Sequence, residues 1–140
     1  DGGGMKGLIS FTCSAAASGL TAGNGMLAGP DGVRPGFVVP PGSEFYPVFL
    51  SLGADTDMVS AGTATAYLWK NSAVDSTPGL SATMTADDTK DVWSSEISAG
   101  AARCVAGDVL AARIVASGNY VNEDATTIFV TVYGYLRNAS

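Results

Sequence analysis

The fold is decided by the closing stretch of the sequence, residues 126–136, which reads TTIFVTVYGYL. Every second residue from Ile128 to Val132 is a branched apolar residue, and aromatic residues or threonine stand between them. Successive side chains of a β-strand point to opposite faces, so a period of two residues indicates a strand with two different faces. The stretch therefore predicts a closing β-strand.

The same period of two recurs upstream. It predicts strands at Gly7–Ser14, Glu44–Leu52, Thr63–Lys70, Leu80–Thr85, Asp91–Ser98 and Val109–Ala116. Short strands at this spacing, with no helical period between them, are typical of an all-β antiparallel β-sandwich or barrel. We expect a jelly-roll-like sandwich over residues 42–140, preceded by a Gly/Pro-rich extended N-terminal segment, residues 1–41, that holds one strand.

Two strands allow more specific predictions. The first strand should turn Ile9, Phe11 and Cys13 inward, with Leu8–Cys13 pairing with Ile128–Tyr133 of the closing strand. In Glu44–Leu52, alternation places Tyr46, Val48, Leu50 and Leu52 on one face and Phe45 and Phe49 on the other. Pro47 has no N–H to donate, so this strand should lie at a sheet edge or contain a bulge.

Charge excludes two classes of partner. The net charge is −6, and the seven basic residues are scattered along the chain. Nucleic acids and anionic membranes attract clustered Lys and Arg, so we expect neither as a partner. No apolar run reaches membrane-spanning length, which argues against membrane insertion. Charged residues make up only 14% of the chain, against roughly 25% in ordinary soluble domains. A homo-oligomer that buries part of this weakly charged surface is therefore expected.

Catalysis has little support in the sequence. The chain has no histidine, which excludes Ser-His-Asp and Cys-His arrangements and histidine metal sites. Cys13 and Cys104 are expected first as two buried thiols, with a bridge between an early and a late strand as the alternative. We predict a non-enzymatic protein with no catalytic residue and no cofactor.

Clustered aspartates raise the question of a metal site. Residues 55–57 and 87–91 carry oxygen ligands of the kind that calcium prefers. Neither segment has the spaced loop and closing glutamate of a specific calcium site, so solvated turns are the first interpretation and no metal is predicted.

Large aromatic residues are the remaining candidates for a functional surface. Both tryptophans, Trp69 and Trp93, are expected first in the core, with a subunit interface or a sugar-stacking platform as alternatives. The residues that we select as a candidate interface or ligand platform are Phe45, Phe49, Trp69, Trp93, Tyr120 and Tyr133.

Three motifs carry a resemblance to known proteins. After the strand Glu44–Leu52 come residues 61–71, AGTATAYLWKN, then residues 106–113, AGDVLAAR, and the closing IFVTVYGYL of residues 128–136. This part of the chain resembles the head-decoration, head-fibre and tail-fibre domains of tailed phages. It is more loosely similar to trimeric jelly-roll heads of the complement and tumour-necrosis-factor type. In those heads a Gly-Asp turn opens a late strand, and an aromatic-Gly-aromatic strand closes the sandwich.

The resemblance implies a homotrimeric structural module on the surface of a virion, assembled in the host cytoplasm. Its partners would be further copies of itself, major capsid or fibre proteins, and a host surface glycan. Two other functions remain open: a carbohydrate-binding module that uses Trp69, Trp93 or Tyr120, and a subunit of an extracellular filament joined by exchange of the first fifteen residues.

Overall fold

A computed structural model describes residues 5–29, 37–71, 73–74, 80–98 and 101–139. Within these ranges the chain consists of β-strands and one short 3-10 turn at Ala17–Gly19. The strands are β1 (Met5–Ala16), β2 (Gly25–Ala28), β3 (Phe37–Val38), β4 (Ser43–Ala54), β5 (Val59–Ala61), β6 (Thr63–Lys70), β7 (Ala73–Val74), β8 (Ser81–Thr85), β9 (Val92–Trp93), β10 (Cys104–Val105), β11 (Val109–Ala116), β12 (Val121–Asn122) and β13 (Thr127–Asn138). The predicted all-β class is confirmed. None of the described residues belongs to a helix that could span a membrane.

Two antiparallel sheets form the sandwich. The first sheet has the order β1-β13-β4-β10, with β9 also paired to β4. The second sheet has the order β2-β11-β6-β7, with β3 beside β11 and β8 beside β6. A small ladder joins β12 to β5. The predicted antiparallel pairing of the first and last strands is confirmed, but the predicted segment is displaced by two residues, because Leu8–Cys13 lies opposite residues 130–135 and not Ile128–Tyr133.

The core lies between the inward faces of the two sheets. Ile128, Val130 and Val132 of β13 are fully buried, as are Ala64, Ala66 and Leu68 of β6. Aromatic packing closes one part of this core, where the ring of Phe11 stacks on Phe37 at 4.5 Å between centroids and both rings lie near Phe45. The period of two on these strands therefore corresponds to one buried face and one outward face.

Both cysteines are buried free thiols, which confirms the first interpretation and not the bridge. Burial raises the pKa of the Cys13 thiol to about 12. A thiol with such a pKa stays protonated near neutral pH, and it is the thiolate that acts as nucleophile.

The faces predicted for β4 are wrong in part. The register opposite β13 places Phe49 across from Tyr133 and then Pro47 across from Gly134, which skips Val48. This bulge shifts the alternation, so Phe45 points into the core and Phe49 points out. The predicted bulge at Pro47 is present, but the strand is internal, since β4 lies between β13 and the short strands β9 and β10.

The N-terminal part of the chain belongs to the sandwich. Residues before position 42 contribute three strands, β1, β2 and β3, to the two sheets, where one strand was predicted. Strands β2 and β3 were not predicted because they are short and lie in a Gly/Pro-rich segment. Their positions are set by pairing with β11. Residues 30–36 of this segment lie outside the described residues.

Candidate functional site

Three aromatic side chains meet on the outer face of the first sheet. Phe49 of β4 and Tyr133 of β13 lie opposite each other, with ring centroids 4.8 Å apart and nearly parallel planes. The ring of Trp93 lies 5.6 Å from that of Phe49 and 5.5 Å from that of Tyr133. These three residues are called the aromatic patch below. All three were selected from the sequence, and the structure brings them together.

Hydrogen bonds to β4 hold Trp93 in this position. Trp93 lies opposite Ser51 in the ladder between β9 and β4. The next residue, Ser94, donates its N–H to the Leu50 carbonyl at 2.9 Å, and its hydroxyl accepts from the Leu50 N–H at 2.9 Å. The indole is thus fixed although its strand is only two residues long.

The expected core position of the tryptophans is wrong. Trp93 is 53% exposed, because β9 adds to the sheet with this side chain facing outward. Trp69 is half-buried on the outer face of the second sheet, where it lies opposite Ala111. The two tryptophans therefore lie on opposite faces of the sandwich and cannot form one platform.

The other two selected residues lie inside the protein. Phe45 is fully buried against Phe11 and Phe37. Tyr120 is 5% exposed, and burial raises the pKa of its phenol. Neither side chain can serve as an exposed contact in this structure.

Hydroxyl and apolar residues lie beside the aromatic patch on β1 and β13, and the Asp91 carboxylate lies at its margin, over Gly53. Ser10 lies opposite Tyr133 on β1, and the hydroxyls of Thr12 and Thr131 share a hydrogen bond of 3.0 Å. Exposed Leu8 and Phe129 extend the apolar surface on the same face. These two residues were missed from the sequence, although their outward positions follow from the alternation on β1 and β13.

A charged network closes one end of this face. Arg103 donates from Nε to the Glu44 carboxylate at 2.8 Å and also forms an ion pair with it. The Tyr46 hydroxyl donates to the same carboxylate, and the Arg137 guanidinium lies 5.2 Å from the Tyr46 ring centroid. The Arg103 hydrogen bond, with that of Tyr46, lowers the pKa of Glu44. Glu44 therefore remains ionised and paired, which fixes β10 to the start of β4.

The two aspartate segments line one pocket of about 300 Å³. Asp55 uses its carboxylate to accept hydrogen bonds from the hydroxyl and N–H of Thr126 and from the N–H of Thr127. Asp88 accepts from the Thr85 N–H at 2.8 Å. Among the described residues no three acidic or thiol side chains form a group that could hold a metal ion. Both carboxylates thus stabilise the local backbone conformation through hydrogen bonds.

The hydrogen bonds of the Asp55 carboxylate predict how the stability of the protein depends on pH. The Thr126 hydroxyl, with the two backbone N–H groups, lowers the pKa of Asp55 from 3.8 to about 2. A carboxyl group whose pKa is lower in the folded state than in the unfolded state stabilises the folded protein at pH values above its unfolded-state pKa. This stability is lost as the pH falls through its folded-state pKa. We expect the melting temperature to decline between pH 4 and pH 2, and Asp55→Asn to be less stable at pH 7 with a smaller decline in that window. Asp57→Asn is the control, and its melting temperature should depend on pH as that of the wild type does. The same dependence for Asp55→Asn would contradict the stabilising role assigned to the Asp55 carboxylate.

Comparisons with known proteins concern the fold. No known protein family matches the sequence, and no curated protein matches it either. A chain of the capsid asymmetric unit of cyanophage Pam1 is similar in structure, with a TM-score of 0.50 and 16% identity over 94% of this chain and 86% of that chain. The acid-stable capsid of Helicobacter pylori bacteriophage KHP30 gives a TM-score of 0.46 at 14% identity, covering 91% and 87%. Sacbrood virus of honeybee gives 0.42 at 9% identity, covering 95% and 72%. The likeness to the Pam1 chain shows the fold alone, a jelly-roll-like β-sandwich.

Proposed function

We propose that the protein is a non-enzymatic structural component of a phage virion, a capsid-decoration or fibre module on the particle surface. The observation that carries the proposal is the fold shared with the Pam1 capsid chain over 94% of this chain. The absence of histidine from the sequence and the protonated, buried Cys13 thiol support a role without catalysis.

We propose further that the protein is a homotrimer and that its copies meet through the outer face of the first sheet. Residues that lie on a threefold axis meet their own counterparts in the other copies, so a charge at the centre of such a contact would face like charges. The aromatic rings of the patch and the Ser/Thr residues beside them on β1 and β13 carry no charge, and the Asp91 carboxylate lies at the margin of the patch, over Gly53. The outer face of the second sheet has Arg113 near its centre, between Leu27 and Tyr67 in the ladders. Charge therefore favours the first sheet as the self-contact.

Exposure of the patch supports the same assignment. Trp93 is 53% exposed, Leu8 49% and Phe129 39%. Burial of apolar surface contributes about 25 cal/mol per Å², and tryptophan is among the residues that dominate interface energies. Burial of these side chains in a contact between copies would therefore stabilise the assembly. The chain has few charges that would oppose such association.

Mutation of Trp93 tests the self-contact. The wild type should show a solution mass of three chains by light scattering coupled to size exclusion. Trp93→Ser should shift the mass toward the monomer, since loss of a central tryptophan costs an interface about 2 kcal/mol or more. Val121→Ser is the control, because Val121 is 52% exposed but belongs to the small β5-β12 ladder. A monomeric wild type, or a trimer unchanged by Trp93→Ser, would contradict this contact.

Binding to capsid or fibre components tests the virion role separately. Purified protein should co-sediment with shells assembled from the major capsid protein of its own virus, or with its fibre proteins. Failure to bind any of these components would contradict the decoration and fibre roles, whatever the oligomeric state.

Two alternatives have specific observations to account for. A carbohydrate-binding module would use a single platform, but Trp69 and Trp93 lie on opposite faces and Tyr120 is buried. A filament joined by strand exchange requires β1 to leave its own sheet, where it pairs with β13 from Leu8 to Ala16. Deletion of residues 1–14 should abolish polymers if that alternative is correct.

A further inference from the structure

The turn before β2 presents an asparagine–glycine pair at the protein surface. Asn24 is the last residue of a turn that its own N–H closes by donating to the Thr21 carbonyl at 3.0 Å. Gly25 begins β2, the outermost strand of the second sheet in the described chain. Both residues are exposed. An asparagine amide can be lost when the backbone nitrogen of the following residue attacks it, and glycine, which has no Cβ, obstructs that attack least.

The backbone nitrogen of Gly25 makes no hydrogen bond to the neighbouring strand. Gly25 lies opposite Val115 on β11, and the hydrogen bond beside this pair runs from the Ala116 N–H to the Asn24 carbonyl at 2.9 Å. In an antiparallel ladder this pattern makes Gly25 and Val115 a non-hydrogen-bonded pair, whose N–H groups point away from each other. The Gly25 N–H therefore points to the outer edge of β2, and its nitrogen can attack without breaking a bond of the ladder.

The other asparagines of the described chain are held in ways that oppose this reaction. Asn71 uses both ends of its amide, since Nδ2 donates to Asp108 at 2.8 Å and Oδ1 accepts from the Val109 N–H at 2.9 Å. For the remaining three, the N–H of the following residue donates to a backbone carbonyl, and this bond must break before the nitrogen can attack. They are Asn119, Asn122 and Asn138, whose following residues donate to the carbonyls of Ser117, Met58 and Gly42. The fold thus distinguishes Asn24 from the others.

Two side chains beside the pair favour the attack. The Arg113 guanidinium lies over Gly25, since a Cβ on Gly25 would be 2.8 Å from Nη2 and 3.1 Å from Cζ. A cation at this position stabilises the negative charge that develops as the Gly25 nitrogen loses its proton. The Thr21 hydroxyl lies 2.9 Å from Nδ2 of Asn24. It can therefore give a proton to this nitrogen as the nitrogen leaves.

We propose that the Asn24–Gly25 pair is a site of spontaneous deamidation in the folded protein, promoted by Arg113. The Gly25 nitrogen forms a bond to Cγ of Asn24, and the bond between Cγ and Nδ2 breaks. The amide nitrogen leaves as ammonia with the proton that the Gly25 nitrogen loses, and a cyclic succinimide remains. Water then opens the ring at one of its two carbonyl carbons, which yields aspartate or isoaspartate at position 24.

The product changes the charge on the outer face of the second sheet. Either form places a carboxylate next to Gly25, over which the Arg113 guanidinium lies, so an ion pair can form that the neutral amide does not allow. Isoaspartate also adds a methylene group to the backbone where the Asn24 carbonyl accepts from Ala116, which weakens the pairing of β2 with β11. Deamidation therefore neutralises the cation near the centre of this face, and it advances with the age of the protein.

Peptide mapping by mass spectrometry tests the proposal. Folded wild-type protein is incubated at mildly alkaline pH, and a sample unfolded in urea serves as the reference. Conversion of each asparagine is followed by the mass difference between amide and acid, and isoaspartate is identified with an isoaspartyl methyltransferase. In the folded protein we expect Asn24 to be converted about tenfold faster or more than Asn119, Asn122 and Asn138, because a hydrogen bond must first break at those three sites.

Substitutions separate the effect of the fold from that of the asparagine–glycine sequence. Arg113→Gln keeps the pair but removes the cation, so it should slow the conversion of Asn24 in the folded protein roughly threefold or more. It should leave the rate in urea unchanged. Lys90→Gln is the control, because it removes a cation that lines the pocket beside Asp55, and it should react as the wild type does. Asn24→Gln should release no ammonia from this position over the same time.

Two outcomes would overturn the proposal. An intact Asn24 in the folded protein, at a time when the unfolded sample is converted, would show that the fold protects the pair. An equal rate of conversion in Arg113→Gln would contradict the role of the guanidinium. The melting temperature of Arg113→Gln should match that of the wild type, so that a difference in rate is not caused by a difference in stability. These outcomes do not depend on the oligomeric state or on the virion role.

Discussion

Replacement of Gly62 by alanine is expected to lower the free energy of unfolding by about 3 kcal/mol or more, or to prevent folding. Gly62 has φ of +75°, in the left-handed region that L residues rarely adopt. A Cβ there would also lie 2.7 Å from the backbone N and Cα of Tyr120 and 2.5 Å from the Ser117 hydroxyl. The left-handed conformation costs about 1–2 kcal/mol for a residue with a Cβ, and overpacking against the backbone adds about 1–3 kcal/mol.

Gly42 provides a matched control for this prediction. Its φ is +73°, but a Cβ there would meet nothing within 4 Å. Gly42→Ala should therefore cost only the conformational part, about 1–2 kcal/mol. Urea unfolding of the two variants and the wild type measures the difference. Equal losses for both variants would show that the contact with Tyr120 does not restrict position 62.

Truncation of Phe45 to alanine should cost about 3–5 kcal/mol, the usual range for a buried phenylalanine. Phe45 is fully buried, and its ring lies 5.5 Å from that of Phe37 and 6.0 Å from that of Phe11. The cavity would open where β4 meets the first strand and β3, so both sheets would lose contacts.

Phe129 is the control for Phe45. It lies on the first sheet but is 39% exposed, so Phe129→Ala should cost less than about 1 kcal/mol in the unfolding of the monomer. The comparison uses urea unfolding in a Trp93→Ser background, which removes the contribution of self-association. A small loss of unfolding free energy for Phe45→Ala would contradict the position of Phe45 in the core. It would favour the earlier selection of Phe45 as an interface residue.

The aromatic patch was predictable residue by residue but not as a group. Phe49 and Tyr133 stand in strands with clear alternation, so their strands were identified correctly. They meet within the regular part of the ladder between β4 and β13, and the bulge that skips Val48 turns Phe45 to the other face. A bulge is defined by the partner strand, and the sequence of β4 contains only the indirect signal of Pro47. Regular alternation therefore placed Phe45 and Phe49 on one face, where the structure separates them.

The exposure of Trp93 was also not predictable from the sequence. Its strand is two residues long, and hydrogen bonds between Ser94 and Leu50 fix its position. The period of two over Asp91–Ser98 predicted a longer strand, whereas only Val92–Trp93 forms one, so the alternation did not give the exposure of the indole. A large apolar side chain is more often buried than exposed, which is why the core was the first interpretation for Trp93.

The sequence by itself determined the all-β class, the long strands with their two alternating faces, and the absence of histidine chemistry. These follow from alternation and composition, which are local properties of the chain. Only the tertiary structure decided which outward residues become neighbours: the aromatic patch on one face, Arg113 between Leu27 and Tyr67 in the ladders of the other, and the Glu44–Arg103 pair at one end. The physical reason is that strand register and short edge strands are set by hydrogen bonds between segments distant in sequence, and no local pattern encodes those partners.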